Sequence, residues 1–200
     1  MEVDEALKNA LLKCVKEETI PAIGCTEPVA VAYAAAAAKK YLKGDINSMQ
    51  VYVSLNIFKN GKSVLIPNAN ECGLKLAAAL GALCGNTEDG LCIFKNVNET
   101  YINAAHKMIN DEKIKLTYRH DVDDIYVEIL LKDEKDNVNV ILSGGHTHIT
   151  KVEVNGRTVY EDVPIKNKKT SRDFLKDMNF KELREISEEI DINELDFISD

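Results

Sequence analysis

Hydrophobic and polar positions alternate along the chain with two different periods, and each period predicts its own kind of element. An apolar stripe at helical spacing predicts an amphipathic helix over 4–18, with Pro21 just beyond its end. Strict alternation predicts a strand over Met49–Phe58, and Asn60-Gly61 predicts a hairpin turn that leads into a second strand over 63–66. Helices are predicted over 71–84 and 99–110, and strands over 113–119, 124–132, 137–143, 148–154 and 157–161.

An alanine-rich segment predicts a buried central helix. Thr26 suits an N-cap, and Glu27 and Pro28 suit a first helical turn, so the helix is expected to run from there to about Leu42. Seven of the residues between 30 and 38 are alanine, which leaves little side-chain bulk on any face. Other backbone is therefore expected to pack close to this helix.

The order of these elements predicts an α+β fold, in which the alanine-rich helix and other helices pack with antiparallel strands and hairpins. One α+β domain is expected over 1–165. Residues 166–200 are interpreted as a polar linker, 166–169, followed by the start of a C-terminal helical region. In that region apolar residues repeat at helical spacing at Phe174, Met178, Leu183, Ile186 and Ile190.

Charge and apolar content narrow the class of protein. The chain has a net charge of −8, and residues 171–200 carry ten acidic against four basic side chains. An acidic balance without a basic patch argues against nucleic acid or an anionic membrane as a partner. The longest apolar run, Val29–Ala38, is far short of the roughly 20 residues that a membrane span needs. The N-terminus lacks the apolar core of a secretion signal, so a cytoplasmic location is expected.

Five cysteines lie at scattered positions, without a Cys-x-x-Cys pair, so their spacing does not indicate a zinc ribbon or a thioredoxin-like motif. Cys25 differs from the rest because it directly precedes the alanine-rich helix. Free N–H groups and the positive end of the helix dipole stabilise a thiolate there. Gly24 leaves room for a ligand, and Glu27 is near enough to influence a proton. The alternative interpretation of Cys25 is a small buried residue at the end of a loop.

Two further loops are candidate anion sites. The Gly144-Gly145 step in Ser143-Gly-Gly-His-Thr-His148 predicts backbone N–H groups arranged around a carboxylate, flanked by hydroxyl and imidazole groups. His146 and His148 share a strand face and are also weak candidates for a metal site. The segment Pro67–Gly73 enters a helix N-terminus, where Asn68 and Asn70 are candidate ligands of a carboxylate. The alternatives are a tight hairpin with solvated histidines, and ordinary turn and capping residues.

The segment Pro21-Ala-Ile-Gly-Cys-Thr-Glu-Pro28, with its alanine-rich helix and the later Ser-Gly-Gly-His-Thr-His motif, resembles the L-cysteine desulfidase family of the archaeal type. That family is similar to the alpha domain of the iron–sulfur L-serine dehydratases. The resemblance extends over most of the chain and also includes the Pro67–Gly73 loop.

The resemblance implies an oxygen-sensitive carbon–sulfur lyase that converts L-cysteine to hydrogen sulfide, pyruvate and ammonia without pyridoxal phosphate. It implies that Cys25 is the proton acceptor, assisted by a 4Fe–4S cluster whose three cysteine ligands are expected beyond residue 200, so no residue of this chain is assigned to the metal. Within this interpretation the substrate-binding residues are Thr26, Glu27, Asn68, Asn70, Ser143, Gly144, Gly145, His146 and His148.

Other interpretations stay open. Dehydration of L-serine or L-threonine by the same chemistry is one, since only the leaving group differs. A non-enzymatic amino-acid-binding module that lacks the cluster is another, and redox sensing by Cys25 is a third. For the enzymes and the binding module the expected ligand is a small amino acid. A homo-oligomer is expected because the small-residue and C-terminal helices leave room for assembly.

Overall fold

The computed structural model describes residues 5–162 and 171–198. Their contacts divide the chain into two compact units, Pro21–Val163 and a smaller one formed by Met1–Ile20 with Pro164–Asp200. The N-terminal helix, expected within the 1–165 domain, groups by its contacts with the C-terminal segment. The predicted linker 166–169 lies outside the described residues.

Helices cover one face of a mixed six-stranded sheet in the larger unit, as the predicted α+β class requires. The helices are α2 Thr26–Lys39, α3 Leu55–Gly61, α4 Leu74–Cys84 and α5 Glu99–Asn110. The strands of the sheet are β1 Ser48–Ser54, β4 Ile114–Arg119, β5 Tyr126–Lys132, β6 Asn137–Ser143, β7 Ile149–Val154 and β8 Arg157–Glu161, and a separate ribbon pairs β2 Leu65–Ile66 with β3 Glu71–Cys72.

The sheet has the order β4-β1-β5-β6-β7-β8. All pairs are antiparallel except β1 and β4, which are parallel, so the expectation of antiparallel strands holds for four of the five pairs. Alternate residues of β1, β5 and β6 are buried under the helices, which is why these strands show strict apolar alternation in the sequence.

The predicted first hairpin is wrong. The strand ends at Ser54, where α3 begins, and Asn60-Gly61 lies at the end of that helix. Ser54 explains the change of structure, since its Oγ accepts a hydrogen bond from the Ile57 N–H at 3.1 Å and donates one to the Asp124 carbonyl at 2.6 Å. A buried side chain with both partners is an efficient helix cap. The returning strand, β2, pairs with β3 rather than with β1.

Helix α2 is largely buried, as predicted, with ten of its 14 residues shielded from solvent, and it lies against β5, β6 and α4. Its contact with α4 is a backbone contact, because a Cβ on Gly81 would lie 2.5 Å from the Ala32 Cα. One turn further along both helices, the position of a Cβ on Gly85 is 3.1 Å from the Ala36 Cβ. In both contacts the second residue follows its partner in α2 by the same number of positions. Helices α2 and α4 therefore run in the same direction. Small residues at both positions allow this approach.

The smaller unit contains α1 Glu5–Glu18, α6 Phe180–Glu188 and short 3₁₀ segments at Asp173–Asp177 and Ile192–Ile198. The helix expected over 174–190 is therefore divided. Asn179 begins α6 with a capping box that it forms with Glu182, and this local cap outweighs the continuous apolar repeat. Lys8 pairs with Glu194 at 2.9 Å and Arg172 with Glu18 at 3.2 Å, which joins the two parts of the unit.

In the part of the chain that the structure describes, no helix combines the length and the apolar character needed to cross a membrane.

The α2–α4 contact gives a direct test of the packing. Gly81→Ala places a methyl group on the Ala32 backbone, and we expect the free energy of unfolding to fall by about 2–3 kcal/mol. Chemical denaturation measures the change. Lys75→Ala, on the exposed face of the same helix, is the control and should have little effect. An unchanged stability for Gly81→Ala would contradict the close parallel packing.

Candidate active site

Cys25 is exposed and occupies the N-cap position of α2. Its backbone is extended, and its side chain makes no capping hydrogen bond. Thr26 was the predicted N-cap but is the first helical residue, because the Val29 N–H already bonds to the Cys25 carbonyl. The thiol therefore lies beside the first turn of a buried helix, where backbone N–H groups have no partner within the helix.

Gly24 brings the Cys25 loop into contact with the Pro67–Gly73 loop. It has a φ of +86°, and a Cβ at this position would lie 2.5 Å from Pro67 Cγ and 2.9 Å from Pro67 Cδ. Both the backbone conformation and the space therefore require glycine. The two loops that the sequence singled out separately are thus packed directly against each other.

The N-terminus of α4 lies level with that of α2. A Cβ placed on Gly61 would lie 2.7 Å from Leu74 Cδ2 and 3.1 Å from Glu27 Cβ, so the first turns of the two helices lie close together. Gly73 is the N-cap of α4 and, like Cys25, gives its helix no side-chain cap from within the described residues. Two parallel helix dipoles therefore direct their positive ends to one place, which favours a bound anion.

Asn68 and Asn70 both adopt the left-handed conformation, with φ of 63° and 54°. Both are exposed, and the Asn68 Nδ2 donates a hydrogen bond to the Phe94 carbonyl at 3.1 Å. These features are typical of turn residues. Asn70 remains accessible at the entrance to α4, where an amide can contact a bound carboxylate.

The Ser143–His148 loop lies at the same end of the sheet as Cys25. Strands β1 and β6 are both antiparallel to β5, so Ser54 and Ser143, the last residues of their strands, lie at the same end of the sheet. Gly44 follows the C-terminus of α2. Its N–H donates a hydrogen bond at 2.8 Å to Asp133, which lies at the opposite end of the sheet. The N-terminus of α2 therefore points toward the end of the sheet where Ser143 lies.

Much of the polar capacity of this loop is satisfied within the chain. The Ser143 hydroxyl donates to Asp123 at 2.5 Å, and the Gly144 N–H donates to the Ile125 carbonyl at 3.1 Å. The imidazole of His148 lies 2.6 Å from Asp162 through Nε2 and 2.7 Å from the Ser143 carbonyl through Nδ1. Serine, histidine and aspartate thus lie together, but the ring contacts the Ser143 carbonyl rather than its hydroxyl, so they do not form a catalytic triad.

Both ring nitrogens of His148 face acceptors, which favours the charged imidazolium. The hydrogen bond to Asp162, and after it the one to the Ser143 carbonyl, raises the pKa of His148 above its ordinary value of 6.5. With Asp162 next to the end of β8, the pair joins that strand to the β6–β7 loop.

The other cysteines have separate environments. Burial raises the pKa of Cys84 to about 11, and its Sγ donates to the Leu80 carbonyl at 3.2 Å. Cys14 is buried in the smaller unit, while Cys72 donates to the Ser63 carbonyl at 3.4 Å. Among the described residues, no three His, Cys, Asp or Glu side chains are grouped as metal ligands. These residues therefore do not fit an iron–sulfur cluster.

Sequence reasoning missed two features of this unit. Ser54, Asn56, Lys59, Arg119, His120 and Asp124 line a cavity of about 270 Å³ at the ends of β1 and β4. The 3₁₀ segment Thr87–Cys92 and the residues after it contact both the Cys25 loop and the Asn68 loop. Neither feature has a sequence motif, because each depends on residues brought together by the fold.

Comparison with known proteins gives similar proteins from several bacteria. The chain is similar to UPF0597 proteins. It is 49% identical over 198 residues to one from Clostridium botulinum (strain Loch Maree / Type A3), 33% identical over 195 residues to one from Clostridium tetani, and 35% identical over 190 residues to one from Vibrio parahaemolyticus.

These matches cover 94–98% of this chain but only 44–46% of each relative, so the chain spans less than half the length of the curated relatives that it matches. No protein-family model matches it. The name of the relatives states no activity, so it neither supports nor opposes the resemblance to L-cysteine desulfidases.

The contact between the two loops is testable by a double-mutant cycle. Gly24→Ala should destabilise the protein by about 2 kcal/mol or more, because it combines a strained φ with a clash against Pro67. In a Pro67→Ala background the clash is removed, since Cγ and Cδ are gone, and Gly24→Ala should cost less. Denaturant unfolding of the four proteins gives the coupling, and equal costs in both backgrounds would refute the contact.

The His148–Asp162 pair predicts a pH-dependent stability. Because the folded protein has the higher imidazole pKa, the stabilisation is fully present below pH 6.5 and is lost as the pH rises through the folded value. Asp162→Asn should therefore lower the thermal midpoint by a few degrees at about pH 5.5 and much less at about pH 9.

The control for this comparison is His146→Gln, which removes a histidine of the same loop whose ring has no ion pair among the described residues. Its midpoint should follow the unmodified protein at both pH values. A decrease for Asp162→Asn that is the same at both pH values would contradict the charged His148.

Proposed function

We propose that this chain carries the proton-accepting half of a carbon–sulfur lyase that acts on L-cysteine. The observation that supports this most is the position of Cys25, an exposed thiol at two adjacent helix N-termini with no capping bond of its own. The resemblance of Gly24-Cys-Thr-Glu-Pro28 to the L-cysteine desulfidases gives the reaction class.

The first step that these residues support is removal of the substrate Cα proton. Cys25, in its thiolate form, accepts the proton and becomes a thiol. The electron pair left on Cα forms the Cα–Cβ double bond as the Cβ–S bond breaks and sulfide leaves. The aminoacrylate product then takes up water and yields pyruvate and ammonia, which balances the reaction without an oxidant or reductant.

Substrate binding is proposed at the N–H groups of the first turns of α2 and α4. A substrate carboxylate there would contact the region of Thr26, Glu27 and Asn70, with Asn68 shaping the turn. Ser143, Gly144, Gly145, His146 and His148 are proposed to close the site from the β6–β7 loop. Ser143 and His148 have partners within the chain, so we assign them a positioning role rather than proton transfer.

The proposed cofactor is a 4Fe–4S cluster held by cysteines outside these 200 residues, since the described residues do not fit one. The chain alone is then expected to be inactive. We propose a cytoplasmic enzyme that assembles as a homo-oligomer. Dehydration of L-serine or L-threonine is the alternative reaction at the same thiol.

The activity test uses the natural-length protein, reconstituted with iron and sulfide under anaerobic conditions. We expect equal amounts of sulfide and pyruvate from L-cysteine, and a loss of turnover of about 100-fold or more in Cys25→Ala, because the base is removed. L-serine is assayed in parallel, and pyruvate from serine alone would change the substrate but keep the base.

Cys84→Ala is the matched control, because this thiol is half-buried and packs within α4. It should cost stability while leaving turnover nearly unchanged. Equal loss of activity in both variants, with normal folding, would refute the assignment of Cys25.

A further inference from the structure

One short segment, residues 87–97, contacts both loops of the candidate site. The Leu91 carbonyl accepts a hydrogen bond from the Ile23 N–H at 3.2 Å, and the Cys92 Sγ donates to the Pro21 carbonyl at 3.6 Å. The Phe94 carbonyl accepts from Asn68 Nδ2 at 3.1 Å. The segment therefore determines the positions of the Cys25 loop and the Asn68 loop together.

An ion pair closes this segment on itself. Asp89 Oδ1 lies 2.6 Å from Lys95 Nζ, and the three residues that contact the two loops lie between Asp89 and Lys95 in the sequence. Ile93 and Phe94 are each 1% exposed, so they fix one side of the segment in the core. The ion pair fixes the other side, and the backbone bends between them at Gly90, whose φ is +52°.

The carboxylate of Asp89 depends on Lys95. Its side chain is 9% exposed, and its Oδ2 is buried without a hydrogen-bond partner among the described residues. A buried carboxylate that loses its counter-charge is strongly unfavourable, so the segment would have to move to rehydrate it. Surface ion pairs are worth little, but here one partner is almost fully buried.

We propose that Asp89 and Lys95 are positioning residues for Cys25, acting through the 87–97 segment. The pair holds Leu91, Cys92 and Phe94 where they set the distance between Cys25 and the Asn68–Asn70 turn. The functional meaning of this role rests on the proposed function of Cys25, whereas the geometric role does not.

The test measures alkylation of each cysteine by iodoacetamide in the natural-length protein, with the modified peptides quantified by mass spectrometry. Rates at Cys25 are divided by the rate of free glutathione added to the same reaction, because Cys72, the other exposed cysteine, lies in the Pro67–Gly73 loop that the segment also contacts. We expect Lys95→Met to change this ratio by about threefold or more, since contacting residues usually show couplings of that size. Lys95→Arg, which retains the charge, should restore it to within about twofold.

Asp89→Asn provides a second variant in case Lys95→Met fails to fold, because it removes the ion pair without leaving a buried charge. Its ratio should shift in the same direction as in Lys95→Met but by a smaller factor, because the ion pair is lost without a buried charge that must be rehydrated, while alkylation of the half-buried Cys84 stays slow. Lys62→Met, at an exposed lysine, is the control.

An unchanged Cys25-to-glutathione ratio in both variants would overturn the proposal. So would a faster reaction of Cys84 in parallel with Cys25, since that would indicate general loosening. Alkylation of Cys25 does not depend on which reaction the protein catalyses. The positioning role of Asp89 and Lys95 is therefore tested even if the protein is not a carbon–sulfur lyase.

Discussion

The close contact of two parallel helices determines the rest of this structure. Gly81 lies against the backbone of Ala32, and the same offset continues one turn further to Ala36 and Gly85. Even a methyl group at Gly81 would push the two helices apart. Because the contact fixes the register of α2 and α4, it also places their N-termini side by side. The geometry of the site therefore depends on a packing contact about two turns away.

The chemistry follows from what those N-termini leave unsatisfied. Neither Cys25 nor Gly73 caps its helix with a side chain, so N–H groups of two first turns face the same place. In contrast, two side chains of the Ser143–His148 loop have partners within the chain. The Ser143 hydroxyl is bonded to Asp123 and the His148 imidazole to Asp162. The N–H groups without a partner therefore lie at the two helix N-termini. The Ser143–His148 loop is held by its own hydrogen bonds and by the ion pair between His148 and Asp162.

Local pattern predicted much of the fold. The strands from β4 to β8 and helix α5 lie where alternation and helical spacing place them, because each segment carries its own hydrophobic period whichever element it packs against. The strand predicted through Phe58 failed because Ser54 caps α3 with help from Asp124, 70 residues away. Cys25, Gly24 and Pro67 were found as motifs, but their contact, the parallel helices and the Asp89–Lys95 pair depend on tertiary structure that spacing does not encode.

The most direct test of the central claim follows the proton itself. Natural-length, reconstituted protein is given L-cysteine with deuterium at Cα, and release of deuterium to water is measured at partial conversion for the unmodified protein and for Cys25→Ser. If Cys25 is the base, release accompanies sulfide formation in the unmodified protein and is lost in the variant, although the serine keeps the size of the side chain. Deuterium release by Cys25→Ser at the unmodified rate would contradict the account.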